Sequence, residues 1–126
     1  MSKEKEPFTF KKRGNSFLYA FAGIKTLLKS EHNTWIHLAA TIVAVVAGFI
    51  FHISLNSWFM LVVAISLVWI TEALNTAVEF IVDMASPDFH PLAMKAKDVA
   101  AAAVLIASIT AIMIGILIII NECKIY

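Results

Sequence analysis

Apolar residues run along this chain in three long blocks, preceded by one shorter periodic segment. From Trp35 to Ile53 the polar side chains are His37, Thr41 and His52, two of them near the ends of the block. Trp58 to Val82 forms the second block, roughly 37 Å long as a helix at about 1.5 Å per residue. Val99 to Ile120 carries no charge and forms the third. Each exceeds the roughly 18 residues expected of a membrane-spanning helix. The second also outruns a hydrocarbon core of about 30 Å, so one end must tilt or emerge into the interface. Upstream, Asn15 to Ser30 places Phe17, Phe21, Ile24 and Leu28 on one narrow helical face, with Lys25 and Lys29 to one side. Such a helix lies flat in the interface. The pattern predicts an all-α membrane protein with an N-terminal amphipathic surface helix (about 15–30) and three transmembrane helices (about 35–53, 58–82 and 99–120). One membrane-embedded domain over residues 1–126 is expected.

Composition agrees with that reading. The chain is 60% hydrophobic and 15% charged, against about 25% charged in soluble domains. So few polar side chains cannot cover the large relative surface of a small soluble fold. A soluble enzyme, a disulfide scaffold and a disordered regulator are excluded. The net charge of +1 makes no case for nucleic acid. The single cysteine, Cys123, allows neither an intrachain disulfide nor a thiolate zinc site. Lys11, Lys12 and Arg13 are not followed by a compact apolar core and small-residue cleavage site, so a signal peptide is not expected.

Cationic residues set an expected orientation. Lys3, Lys5, Lys11, Lys12, Arg13, Lys25 and Lys29 precede the first block, the first connection has none, and Lys95 and Lys97 lie in the second. The positive-inside rule then assigns the N-terminus and second connection to the cytoplasm, and the first connection and C-terminus to the outside.

The second block carries Glu72, Asn75, Glu79 and Asp83. At about 100° per residue these fall near 0°, −60°, −20° and +20°, on one stripe. An ionised group at mid-bilayer costs about 2.5–3.5 kcal/mol on insertion scales, so such groups face protein or water and usually have a function. Taking Trp58 as the outer interface, Glu72 lies roughly 21 Å and Glu79 roughly 31 Å along the axis. One carboxylate can meet a water-soluble reactant while the other reaches a lipid headgroup. Glu31, Lys97, Asp98 and the loop Ser86-Pro87-Asp88-Phe89-His90 gather at the same boundary. Carboxylates beside a lysine suit Mg²⁺ and phosphate, since Mg²⁺ commonly takes one or two carboxylates plus phosphate oxygens. The four glycines are isolated, so neither a P-loop nor a glycine-rich kinase loop is present. Three spans make a thin bundle, and partner subunits are expected to help shelter the stripe.

The run Glu72-Ala73-Leu74-Asn75-Thr76-Ala77-Val78-Glu79, followed by Val82-Asp83, His90 and Ala96-Lys97-Asp98, resembles the signature of the small prokaryotic diacylglycerol kinase and undecaprenol kinase family. The resemblance extends from about Phe8 to Ile118. It implies an ATP-dependent lipid kinase of a prokaryotic plasma (inner) membrane that uses Mg²⁺, works as a homotrimer and acts on a lipid alcohol within the membrane. Glu72 falls at the family's general base, and Glu31 and Glu79 at its metal–nucleotide ligands. Lys97 and Asp98 match its ATP-contacting pair. Lys12, Tyr19, Asp88, Phe89 and His90 match further nucleotide contacts, while Asn75 and Asp83 fall among the polar positions that order the site. Lys12 stands where some members have Arg, Phe89 where some have Tyr, and Trp35 where a polar or basic residue is common. Diacylglycerol, giving phosphatidic acid, is the first expected acceptor and undecaprenol the alternative, although Glu31-His32-Asn33-Thr34-Trp35-Ile36-His37 looks more like the undecaprenol kinase branch. A rival from another class is a proton-conducting or transport subunit built on Glu72; a purely structural membrane protein leaves the cost of Glu72 unexplained.

Overall fold

A computed structural model describes residues 4–124, which form four α-helices in succession. These are α1 (Phe10–Ser30), α2 (His32–Ile50), α3 (Leu55–Ala85) and α4 (Pro91–Cys123). The domain expected over 1–126 extends at both ends outside the described residues. Helices α2, α3 and α4 are long and apolar enough to cross a membrane.

Helix α1 begins at Phe10, earlier than the apolar periodicity from Asn15 indicates. Its start is set by a cap: Thr9 Oγ1 accepts a hydrogen bond from the Lys12 backbone N–H at 3.3 Å, satisfying one of the orphan donors of the first turn. Phe17, Phe21 and Ile24 remain exposed, while Leu27 is buried. The amphipathic face is therefore free for lipid. Small residues of α1, Ala20 and Gly23, approach Ala73, Thr76 and Ala77 of α3 across a cleft of about 390 Å³.

Helix α2 stops at Ile50 rather than continuing to Ile53. The Phe51 and His52 backbone N–H groups fold back onto Ala47 and Phe49 carbonyls, and His52 takes a positive φ of 49°. That left-handed residue ends the helix. Ser54 then starts α3, accepting from the Ser57 N–H at 3.3 Å. Gly48 makes this tight turn possible: a Cβ there would lie 2.7 Å from the Trp58 ring, which in turn packs on Phe49 with ring centroids 4.7 Å apart.

At about 1.5 Å per residue, α3 and α4 are roughly 46 and 50 Å long. They outrun a core of about 30 Å, and so carry their ends beyond the apolar blocks. The two pack antiparallel along their length, with Ala64, Val68, Ala107 and Ile118 buried. Helices α1 and α2 pack on α3 less extensively. At the loop end, Ser86 Oγ donates to the Asp88 carbonyl at 2.8 Å, and His90 Nδ1 accepts from the Leu92 N–H at 3.1 Å. Pro91 follows in the first turn, where its missing N–H costs nothing.

Candidate functional site

The polar stripe of α3 is graded in exposure. Glu72 is 2% exposed and Asn75 is also buried, Glu79 is half-buried, and Asp83 is open. The grading follows the neighbours: α1 and α2 lie against the middle of α3, while its last turns project past them. A single chain thus shelters Glu72 without a second subunit, contrary to the expectation from a thin bundle. The lower part of the stripe is left open.

Glu31 owes its position to a one-residue break. It is both the C-cap of α1 and the N-cap of α2, in extended backbone with φ −133° and ψ 128°. An acidic N-cap ordinarily accepts from the first-turn N–H groups, yet the Glu31 side chain makes no such bond. It lies instead close enough to Glu79 to act on that carboxyl, as do Lys97 and Asp83. Two carboxyls held together repel unless a proton or a cation lies between them. Among the described residues there is no group of three or more His, Cys, Asp and Glu side chains able to hold a metal. The Glu31 and Glu79 carboxylates would offer a pair of hard oxygen ligands. That pair fits Mg²⁺, which draws its remaining ligands from phosphate oxygens and water.

Lys97, on the first turns of α4, forms an ion pair with Asp83 across the hairpin. Its ammonium is thus held on the same side as Glu79. Asp98, Asp88, Phe89 and His90 are exposed around the α3–α4 loop. His90 already has a local task as the side-chain cap of α4. Lys12 pairs with Glu6, and Tyr19 is exposed on α1. Four of the expected site residues therefore gather closely: Glu31, Glu79, Asp83 and Lys97. Asp88, Phe89, His90 and Asp98 ring the same end of the hairpin, whereas Lys12 and Tyr19 are separate side chains on α1.

The sequence pattern gave no role to His37, Thr34 or Thr76 in this region. His37 Nε2 stands 3.4 Å from Glu72 Oε2. Thr34 is fully buried at the start of α2, and its hydroxyl has no hydrogen-bond partner among the described residues; neither do Asn75 Oδ1 and Thr76 Oγ1. Orphaned buried oxygens are uncommon and call for an explanation such as a water or a bound group. A signal for His37 existed in the sequence. It is an imidazole inside an apolar block, and a buried carboxylate in the next block requires a partner.

A family profile described as prokaryotic diacylglycerol kinase matches residues 18–119. An undecaprenol kinase of Bacillus subtilis is 37% identical over 82% of this chain and 84% of its own. A diacylglycerol kinase of Synechocystis is 38% identical over 79% of this chain and 58% of its own length. A diacylglycerol kinase of Escherichia coli is 33% identical over 75% of this chain and 78% of its own.

Proposed function

The chain belongs to the prokaryotic diacylglycerol kinase family, which makes it an ATP-dependent lipid kinase of the membrane, and from that premise we propose that it transfers the γ-phosphoryl group of ATP to undecaprenol. The observation that carries the site is one stripe of α3 that runs from buried Glu72 to Asp83 in an ion pair with Lys97, with Glu31 brought near Glu79 two helical turns from Glu72. Nucleotide enters where carboxylates and Lys97 are accessible, and the lipid hydroxyl meets Glu72 at greater depth. Undecaprenol is favoured over diacylglycerol by the extent of the similarity to the Bacillus subtilis enzyme, which covers most of both chains. Diacylglycerol is the second reading, supported by the family's description and by the Synechocystis relative.

In this reading Glu31 and Glu79 would hold Mg²⁺ with the nucleotide, where a bound ion would supply neutralisation of phosphate charge. Lys97, released from Asp83 or shared with it, supplies a mobile positive charge to the phosphates. Asp98, Lys12, Tyr19, Asp88, Phe89 and His90 complete the nucleotide contacts. Glu72 accepts the proton of the lipid hydroxyl as its oxygen attacks the γ-phosphorus, the bond to the β-phosphate oxygen breaks and ADP leaves. Asn75 orders the carboxylate's surroundings. The Glu79 end faces the cytoplasm, in keeping with Lys95, Lys97 and the basic N-terminal segment. A homotrimer is the assembly we propose, its support being the family resemblance and the lower part of the polar stripe, which one chain leaves open. Labelled ATP with either lipid in mixed micelles tests the function. Label in undecaprenyl phosphate is expected, label in phosphatidic acid alone would exchange the two acceptors, and label in neither would overturn the assignment.

A further inference from the structure

Glu72 is an acid placed where an unpartnered charge is costly, and the polar side chain facing it comes from another helix. His37 Nε2 lies 3.4 Å from Glu72 Oε2, with the imidazole largely buried at 20% side-chain exposure. That separation is long for a hydrogen bond, as catalytic contacts often are before substrate tightens them. The turn of α2 that carries the imidazole is tied to α3. Trp69 Nε1–H donates to Thr41 Oγ1 at 3.0 Å, and the Thr41 hydroxyl donates to the His37 backbone carbonyl at 2.7 Å. Trp69 and Glu72 are three residues apart on α3, and His37 and Thr41 four apart on α2, so each pair shares a helix face. The network leaves α3 at Trp69, crosses to α2, and returns to α3 at Glu72. Because α2 packs on α3 less extensively than α4 does, the Trp69–Thr41 bond is a polar tie that holds this part of α2, and with it His37, beside α3.

We infer that His37 is a positioning residue for the phosphoryl transfer, orienting the Glu72 carboxylate toward the lipid hydroxyl. Its Nε2–H engages Oε2, leaving Oε1 to take the hydroxyl proton. Holding one oxygen fixes the plane of the carboxylate and its aim, and a misplacement of about 1 Å at a reacting group can cost about 10²-fold in rate. His37 makes no contact with Glu31, Glu79 or Lys97 in this arrangement, so nucleotide binding does not depend on it. This inference rests on the reading of Glu72 as general base.

The test uses the full chain in mixed micelles, with whichever of the two lipid alcohols the wild type phosphorylates. His37→Leu keeps bulk and removes the donor; His37→Gln carries an amide nitrogen near the place of Nε2. His37→Leu is expected to lower kcat by about 10–10²-fold with the KM for ATP unchanged, and His37→Gln to recover most of the loss. In a Glu72→Gln background, His37→Leu should cost nothing more, because a group that acts through Glu72 has nothing left to orient. Should His37→Leu not yield folded protein, His37→Asn takes its place, since its shorter amide cannot reach Oε2. Wild-type kcat in the donor-free variant, equal losses with and without the Gln donor, or losses that multiply with Glu72→Gln would each overturn the inference. A near wild-type rate for Glu72→Gln alone overturns the general-base reading instead, so the two failures are distinguishable.

Discussion

Two glutamates of the α3–α4 hairpin, one at its open end and one near the middle of α3, have opposite surroundings. Glu122, at the C-terminal end of α4, is surrounded by donors: its Oε1 accepts from the Ser54 N–H at 3.0 Å, the Ser54 hydroxyl at 2.8 Å and the Ser57 hydroxyl at 2.5 Å. Ser57 is fully buried beneath it, and Asn121 adds a longer contact to the same hydroxyl. Glu72 is itself almost fully buried and is faced by one imidazole at 3.4 Å. The first arrangement satisfies a carboxylate and clasps the start of α3 to the end of α4. The second keeps a carboxylate dry, fixed and short of partners, with further orphaned oxygens at Thr34, Asn75 and Thr76 nearby. Saturated hydrogen bonding stabilises a fold, while unsatisfied polar groups at a buried position are commonly reserved for a ligand or a reaction.

The largest way to break this comparison is Glu72→Gln. Loss of the base should lower kcat by about 10²–10⁴-fold, while nucleotide affinity and oligomeric state stay as in the wild type. Lipid phosphorylation, nucleotide binding and size measured on one preparation check it, and lost assembly alongside lost activity would return Glu72 to a structural role. Glu79→Gln comes next. Removing one charge of the carboxyl pair should lower turnover by about 10²–10³-fold and raise the Mg²⁺ concentration needed for half-maximal rate. An unchanged Mg²⁺ titration would remove Glu79 from the metal site.

Smaller effects are expected at the clasped end, and on stability rather than chemistry. Gly48→Ala pushes a methyl against the Trp58 ring, where a Cβ stands at 2.7 Å; overpacking of this kind costs about 1–3 kcal/mol. Thermal unfolding in detergent reads that loss, and kcat well below the transition should hold. Glu122→Gln weakens the acceptor without changing its shape, and is the mildest of the four. Its melting temperature should fall modestly with kcat unaltered. A collapse of kcat in the Glu122 variant would show that the far end of the hairpin is coupled to the chemistry.

Much of this was legible in the sequence because membrane physics is local. Uninterrupted apolar blocks long enough to span can be counted along the chain, and α2, α3 and α4 fall on them. The stripe from Glu72 to Asp83 was visible for the same reason: helical periodicity places residues on a face whatever surrounds it. Helix ends were less legible. The start of α1 at Phe10 depends on the Thr9 cap, and the end of α2 at Ile50 depends on a single left-handed histidine. A hydropathy pattern carries neither.

The sequence by itself determined the helical content, the candidate spans, the family and the shared face of four polar residues, since each depends on residues close along one helix. Tertiary structure decided which of those four is buried, that Glu31 turns toward Glu79 instead of capping α2, and that Lys97 pairs with Asp83 across the hairpin. It also decided that His37 of α2 meets Glu72 of α3, and that Ser54 and Ser57 meet Glu122. These pairs lie 14 to 68 residues apart or join separate helices. Their meeting depends on where the turns at His52 and Ser86 aim each helix and on how closely Gly48 lets two of them approach. Local periodicity carries no information about that distance.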